Sequence, residues 1–255
     1  MEGIALRVRN LHKSFGGVHA IRDLSFDVAP GQVVGLIGPN GSGKSTTVNS
    51  LAGLFSATSG EIILDGVPIQ TLPEHSRVAL GLARTFQTAS VFPEFTVRQQ
   101  VRLASIVTLK SNPLASIFKL SVGHGDDAET EARIDEILHL TDLYQIADKL
   151  VSTISSGEQR FLMIATALAA NPKVVLLDEP AAGLISHERK TLSEMIKKIR
   201  RRGVAVLVIE HHMALIMDVC DRIVVLNFGS KIAEGTPDEI RNNPAVIDAY
   251  LGEAT

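Results

Sequence analysis

The chain has 255 residues, 45% of them hydrophobic, and a formal net charge of -3. That length and apolar share can bury one large domain or two fused subdomains. The mild negative charge argues against a strongly basic nucleic-acid footprint, so no nucleic-acid partner is expected. The lone cysteine, Cys220, excludes an internal disulfide framework and is read as a packing residue.

Residues 1–10 lack the apolar core of a signal peptide, and Val33–Ile37 is far too short to span a bilayer, so any membrane role has to come through a partner. Residues 4–11 and 25–28 alternate apolar and polar side chains, which predicts antiparallel strands exposed on one side. Pro30-Gly31 then turns the chain into the buried strand Val33–Ile37. Directly after it stands Gly38-Pro39-Asn40-Gly41-Ser42-Gly43-Lys44-Ser45-Thr46, a GxxxxGK[ST] sequence between a strand and a helix beginning near Lys44. Backbone N–H groups and a helix N-terminus attract phosphate there. Lys44 is expected to reach the β- and γ-phosphates of a nucleoside triphosphate, and the Ser45 hydroxyl to ligate Mg2+. The glycines at 38, 41 and 43 let the backbone approach oxygen atoms that a Cβ would exclude. The bland alternative is an ordinary glycine-rich turn.

Residues 61–66 read as another short strand closed by a turn, so an antiparallel layer is expected beside an α/β core. A different character begins after Gln87. Val97–Lys110 and residues 128–140 carry helical periodicity, and a loop or short helix is expected at 111–119. The polar stretch 121–127 separates the two helices, with 123–127 alternatively a mobile surface excursion. The mostly helical insert is expected to run to about residue 154. Helical patterning resumes at 157–170, followed by a strand at 174–177, a charged amphipathic helix at 189–202 and a buried strand at 204–209. That alternation is the βα rhythm of a parallel sheet.

The apolar run 174–177 ends in Asp178-Glu179. Parallel strands present functional residues at their carboxyl ends, so both acids can meet the phosphate loop. Asp178 suits direct or indirect handling of Mg2+, and Glu179 suits polarisation of an attacking water. Taken alone, such acids are as readily turn or cap residues. His211 follows the next strand and Glu210; it could hydrogen-bond a γ-phosphate, although it and its neighbour His212 equally fit surface or capping roles.

The full set, comprising the phosphate loop 38–46, Gln87, Ile154-Ser155-Ser156-Gly157-Glu158-Gln159-Arg160, the strand ending in Asp178-Glu179, and His211, resembles the nucleotide-binding subunit of an ABC transporter over nearly the whole chain. The resemblance implies an α/β fold: a P-loop NTPase core of the ABC ATPase type with an antiparallel β subdomain and a helical subdomain. Within one nucleotide-binding domain, residues 1–86 and 157–235 would form the core with the antiparallel subdomain, 88–156 the helical subdomain and 236–255 a C-terminal tail. It implies ATP and Mg2+ as cofactors, with Lys44, Gln87, Glu179 and His211 catalytic and Ser45, Gln87 and Asp178 at the metal. Phe15 matches the aromatic that stacks on adenine, whereas an isolated Phe beside a strand is otherwise usually a core residue. A head-to-tail dimer with a second ABC ATPase subunit is implied, in which Ser155, Ser156, Gly157 and Glu158 of one protomer close over the ATP held by the other. A Ser-rich helix cap would explain the same four residues without a partner.

Three positions depart from the commonest pattern. Position 156 is Ser, position 158 is Glu, and Ile185 stands where a polar Asp or Asn usually joins the two ATP sites. Ile185 cannot supply that polar contact, so weakened communication between sites is an expectation, with packing at the dimer seam the alternative.

Within the family, Gly81-Leu82-Ala83-Arg84-Thr85-Phe86-Gln87, the insert after it, Ala181-Ala182-Gly183-Leu184 and a tail with Ala233-Glu234-Gly235-Thr236-Pro237 and Ala249-Tyr250-Leu251-Gly252 are similar to bacterial branched-chain amino-acid importers. Urea or short-chain amide importers, a lipopolysaccharide-export ATPase and a nontransport ABC regulatory ATPase are the alternatives. The resemblance implies two transmembrane permease subunits, an indirect partner in a periplasmic solute-binding protein, and a peripheral place on the cytoplasmic face of the inner membrane. Ala89-Ser90-Val91-Phe92-Pro93-Glu94-Phe95 is read as the wall of a groove receiving a permease helix, or as a local core around Phe92 and Phe95.

Overall fold

The structure is a computed structural model that describes residues 3–85, 92–110 and 125–251. Two sheets organise it. Strands β1 (Leu6–Phe15), β2 (Val18–Val28), β4 (Ser59–Leu64) and β5 (Val67–Pro68) form an antiparallel sheet in the order β2-β1-β4-β5. Strands β3 (Val33–Ile37), β6 (Leu82–Arg84), β7 (Val174–Asp178), β8 (Ala205–Ile209), β9 (Arg222–Asn227) and β10 (Ser230–Gly235) form the second, in the order β10-β9-β3-β8-β7-β6. Within it β6, β7, β8, β3 and β9 run parallel, and β10 closes the edge antiparallel to β9.

All five residues of β3, β7 and β8 are buried, as expected of parallel strands covered on both faces. Their period-two alternation sorts the side chains into two apolar clusters. Val33, Ile37, Val175, Leu177, Val206 and Val208 pack with the helices, whereas Val34, Leu36, Val174, Leu176, Leu207 and Ile209 pack with the antiparallel sheet. The helical cluster includes Val97 and Val101 of α3 (Val97–Lys110), Ile134 and Leu138 of α4 (Gly125–Leu140), and Phe161 and Leu162 of α5 (Ser156–Ala169). Helix α1 (Lys44–Ala52) lies on the other face, where Val48 and Leu51 join the cluster of the antiparallel sheet.

Several elements differ from the sequence-based expectation in extent. Both first strands are longer than the alternation marked, and the 189–202 helix is α6 (Ser186–Arg201). Residues 125–127, expected within the polar stretch between the helices, begin helix α4. The expected loop or short helix at 111–119 lies outside the described residues. Helices α2 (Glu74–Ala79), α7 (Met213–Val219), α8 (Pro237–Arg241) and α9 (Pro244–Leu251), the β9–β10 hairpin and short 3-10 turns at Tyr144–Ile146 and Val151–Thr153 complete the described elements. Cys220 is a packing residue: a Cβ added to Gly35 would sit 2.9 Å from its Sγ, so β3 needs glycine where the thiol presses on it. Burial pushes that thiol's pKa well up, which keeps it protonated.

Candidate functional site

The phosphate loop leaves the carboxyl end of β3 and enters α1 through Gly43, whose φ of 103° places it in the left-handed region. No side chain caps the helix and its first turn carries no acid, so its N-terminal N–H groups and partial positive charge are left for an anion. Glycine is enforced by packing at two points. A Cβ on Gly38 would stand 2.1 Å from the Leu226 carbonyl oxygen, and one on Gly43 2.5 Å from the Ala20 oxygen. Ser42 is buried, with a hydroxyl oxygen that has no hydrogen-bond partner among the described residues. Lys44, only 6% exposed, donates from Nζ to the carbonyls of Gly38 (2.7 Å) and Pro39 (2.8 Å). Asn40 and Ser45 are exposed, Pro39 is buried and Thr46 is half-buried. An uncapped helix end, glycines required by packing at 38 and 43 and a lysine folded against the loop together fit a polyphosphate.

Strands β7 and β8 are paired in register up to Asp178 opposite Ile209, which brings the residues following each strand side by side. The Asp178 carboxylate is 5% exposed and accepts a 2.7 Å bond from Arg84, whose other terminal nitrogen reaches Asn49 of α1 at 2.7 Å. Asp178 also donates its backbone N–H to the Thr85 hydroxyl. Glu179 is held at φ 47°, left-handed backbone in a non-glycine residue, which costs about 1–3 kcal/mol and occurs preferentially at functional sites. Its N–H donates to Ile209 O at 2.9 Å, and its carboxylate meets His211 Nε2 at 3.1 Å. Both side chains remain partly open to solvent. The structure therefore brings Glu179 and His211 together. His212 instead caps α7, accepting at Nδ1 from the Leu215 N–H.

Two residues of this network are given no role of their own in the sequence reading. One is Arg84, at the end of β6. The other is Glu210, 4% exposed, which accepts from the N–H groups of Ala181, His211 and His212. An acid wedged between an apolar strand and a histidine was the available signal. Gln87 lies outside the described residues, as do residues 89–91 of the expected groove wall. Of that wall, Phe92 and Phe95 lie with ring centroids 5.0 Å apart, and Phe92 is exposed.

Residues 155–158 open α5. Ser155 is its N-cap: the hydroxyl oxygen accepts from Glu158 N at 3.1 Å, and the Glu158 carboxylate accepts from Ser155 N at 2.6 Å, a reciprocal capping box. The helix-cap reading thus accounts for Glu158, while Ser155 and Ser156 stay exposed. Gly157 is buried against α6, since a Cβ there would fall 2.0 Å from Glu188 Oε1. Phe15 is not a core residue. It is 43% exposed, with Phe55 edge-on at 5.2 Å and the Lys13 ammonium 4.7 Å from its ring centre.

Comparison with known proteins follows the same lines. The family profile described as ABC transporter matches residues 21–182, and one described as branched-chain amino acid ATP-binding cassette transporter matches residues 230–255. The chain is 42% identical over 250 residues to the high-affinity branched-chain amino acid transport ATP-binding protein BraF of Pseudomonas aeruginosa, covering 98% of each. It is 39% identical, with the same coverage, to LivG of Escherichia coli, and 35% identical to the lipopolysaccharide export system ATP-binding protein LptB of Haemophilus influenzae, covering 97% of each. Among solved structures, the ADP conformation of MJ1267, an ATP-binding cassette of an ABC transporter, superposes with a TM-score of 0.84 at 28% identity, covering 98% of this chain and 99% of that one. The uncapped phosphate cradle, the acid-tipped strand beside it and these matches have one reading: the chain belongs to the ABC transporter family, as an ATP-binding, ATP-hydrolysing cassette.

Proposed function

We propose that the chain energises a bacterial importer of branched-chain amino acids, acting from the cytoplasmic face of the inner membrane. Among the described residues no helix is long and apolar enough to cross a membrane, so attachment would come through two permease subunits, with a periplasmic binding protein delivering cargo to them. The cargo class is supported by the identity to BraF and LivG and by the match at residues 230–255. The hydrolytic role of this site rests on one observation, the 3.1 Å contact of Glu179 with His211 at the ends of neighbouring strands.

On this reading ATP enters the cradle at residues 38–46, and Lys44 exchanges the carbonyls of Gly38 and Pro39 for β- and γ-phosphate oxygens. Adenine would stack on the exposed ring of Phe15. Mg2+ would be held by Ser45, Gln87 and Asp178 and would supply charge neutralisation at the phosphates. Glu179 orients the attacking water, and His211 holds that carboxylate in place while reaching toward the γ-phosphate. Most of the rate enhancement then comes from positioning and fixed charge. A second cassette would complete each site with its Ser155, Ser156 and Gly157 in a head-to-tail dimer. Dimeric structures of the ABC cassette MJ0796, to which this chain is 25% identical, support that assembly. Closure would move the helical region 88–156 and the turn carrying Phe92 and Phe95, and with them the permease.

The test of the site is Glu179→Gln. ATP affinity should stay within about twofold while turnover falls at least ~100-fold and a closed dimer accumulates; undiminished turnover would sink the assignment. For cargo, ATP-driven uptake of leucine, isoleucine and valine by vesicles holding the whole transporter is expected. Uptake of urea alone, or lipopolysaccharide-stimulated hydrolysis, would move the chain to another branch of the family.

A further inference from the structure

Glu210 sits between the end of β8 and His211, in the interior. Its Oε1 accepts the Ala181 N–H at 2.6 Å, and its Oε2 accepts those of His211 at 3.0 Å and His212 at 3.1 Å. Burying a carboxylate is unfavourable unless donors surround it, and bonds from fixed N–H groups to a charged oxygen are among the stronger kind. What matters is which segments these bonds join. Ala181 lies two residues after Glu179, on the loop that leads to α6; His211 carries the imidazole that meets the Glu179 carboxylate. A ring of contacts results: Glu179 N to Ile209 O, Ala181 N to Glu210, His211 N to Glu210, and His211 Nε2 to Glu179. On the far side of the loop, Arg160 of α5 donates to the Ala182 carbonyl at 3.4 Å, so the helix that opens with Ser155 and Gly157 adjoins the same ring.

We propose that Glu210 is the positioning residue of the Glu179–His211 pair. It clamps the loop after Glu179 to the segment carrying His211, so that the two side chains keep their separation and respond as one body to movement of α5. This rests on the hydrolytic reading of the site given above. Glutamine cannot reproduce the clamp, because its NH2 would face one of the N–H donors and release either the Ala181 arm or the histidine arm. Threonine can accept from an adjacent N–H but is too short to reach Ala181.

Steady-state ATPase activity, binding of a fluorescent ATP analogue and thermal unfolding distinguish the possibilities. They are compared for the full-length wild type, Glu210→Gln, Glu210→Thr, His211→Ala and the Glu210→Gln/His211→Ala double variant, under conditions in which the wild type turns over ATP. Both Glu210 variants should lose about tenfold or more in kcat while KM and analogue affinity stay within about twofold, and the double variant should be no slower than His211→Ala alone. A residue with only a general structural role would instead give losses that multiply in the double variant. That result, or kcat unchanged in both single variants, overturns the proposal. A wild-type chain whose turnover survives Glu179→Gln overturns the underlying site assignment instead.

Discussion

Arg77 is 1% exposed, and its guanidinium donates to the carbonyls of Ser50, Leu51, Leu72 and Gln70. Two of those carbonyls end α1, the helix whose other end is the phosphate site, so a cation closes the negative pole of the dipole. Burial draws its pKa below the ordinary arginine value, yet an arginine stays charged. Arg77→Met should leave these carbonyls unpaired and cost about 3 kcal/mol, visible as a melting point lowered by roughly 6–12 °C. An unchanged melting point would show that water replaces the guanidinium. Nothing local in the sequence marks Arg77, because its neighbours on α2 are those of an ordinary polar helix and its acceptors on α1, Ser50 and Leu51, lie 27 and 26 positions away. Glu210 stands beside the histidine it supports, but its bond to Ala181 spans 29 positions. Lys44, Ser45, Asp178 and Glu179 were legible because their chemistry is written in contiguous residues next to an apolar strand.

At the level of elements, α5 and α6 meet at their N-termini through Gly157 and Glu188. Helix α6 carries half a capping box: the Glu188 carboxylate accepts from Ile185 N at 2.9 Å, but the Ile185 side chain has no acceptor to return. Gly157→Ala would drive its Cβ into that carboxylate and uncap α6, at a cost of about 1 kcal/mol. The melting point should fall by roughly 2–4 °C, and ATPase activity should fall further than that loss of stability explains, because the start of α5 is also displaced. Activity and stability that both match the wild type would mean that Glu188 swings away freely. The parallel strands β3, β7 and β8 were readable because burial on both faces leaves unbroken apolar runs, and the long helices were readable from their periodicity. The β9–β10 hairpin was not: its turn is Phe228-Gly229, with Phe228 at φ 45° and 81% exposed, so an aromatic occupies a place where turn chemistry favours Asn, Asp or Gly.

Across the whole molecule, the parallel sheet separates a helical side from an antiparallel side, and the site forms where its strands end. Ile185 stands out on that surface, 65% exposed at the N-cap position of α6. Ile185→Asn should stabilise the isolated chain by about 0.5–1 kcal/mol by completing the cap and, in the dimer, raise the Hill coefficient of ATP hydrolysis. Unchanged cooperativity would count against weakened communication through this position. The proposed dimer rests on resemblance alone, because one chain's pattern cannot display contacts made by another. The lysine of the phosphate loop has a consequence of its own. With Nζ already bonded to the carbonyls of Gly38 and Pro39, a nucleotide arriving as proposed would compete with the loop's own oxygens for the ammonium. On the proposed reading, a nucleotide whose phosphates reach the ammonium would offset the lost bonds and one that ends short of it would not, so the loop would gauge chain length by what it has to let go.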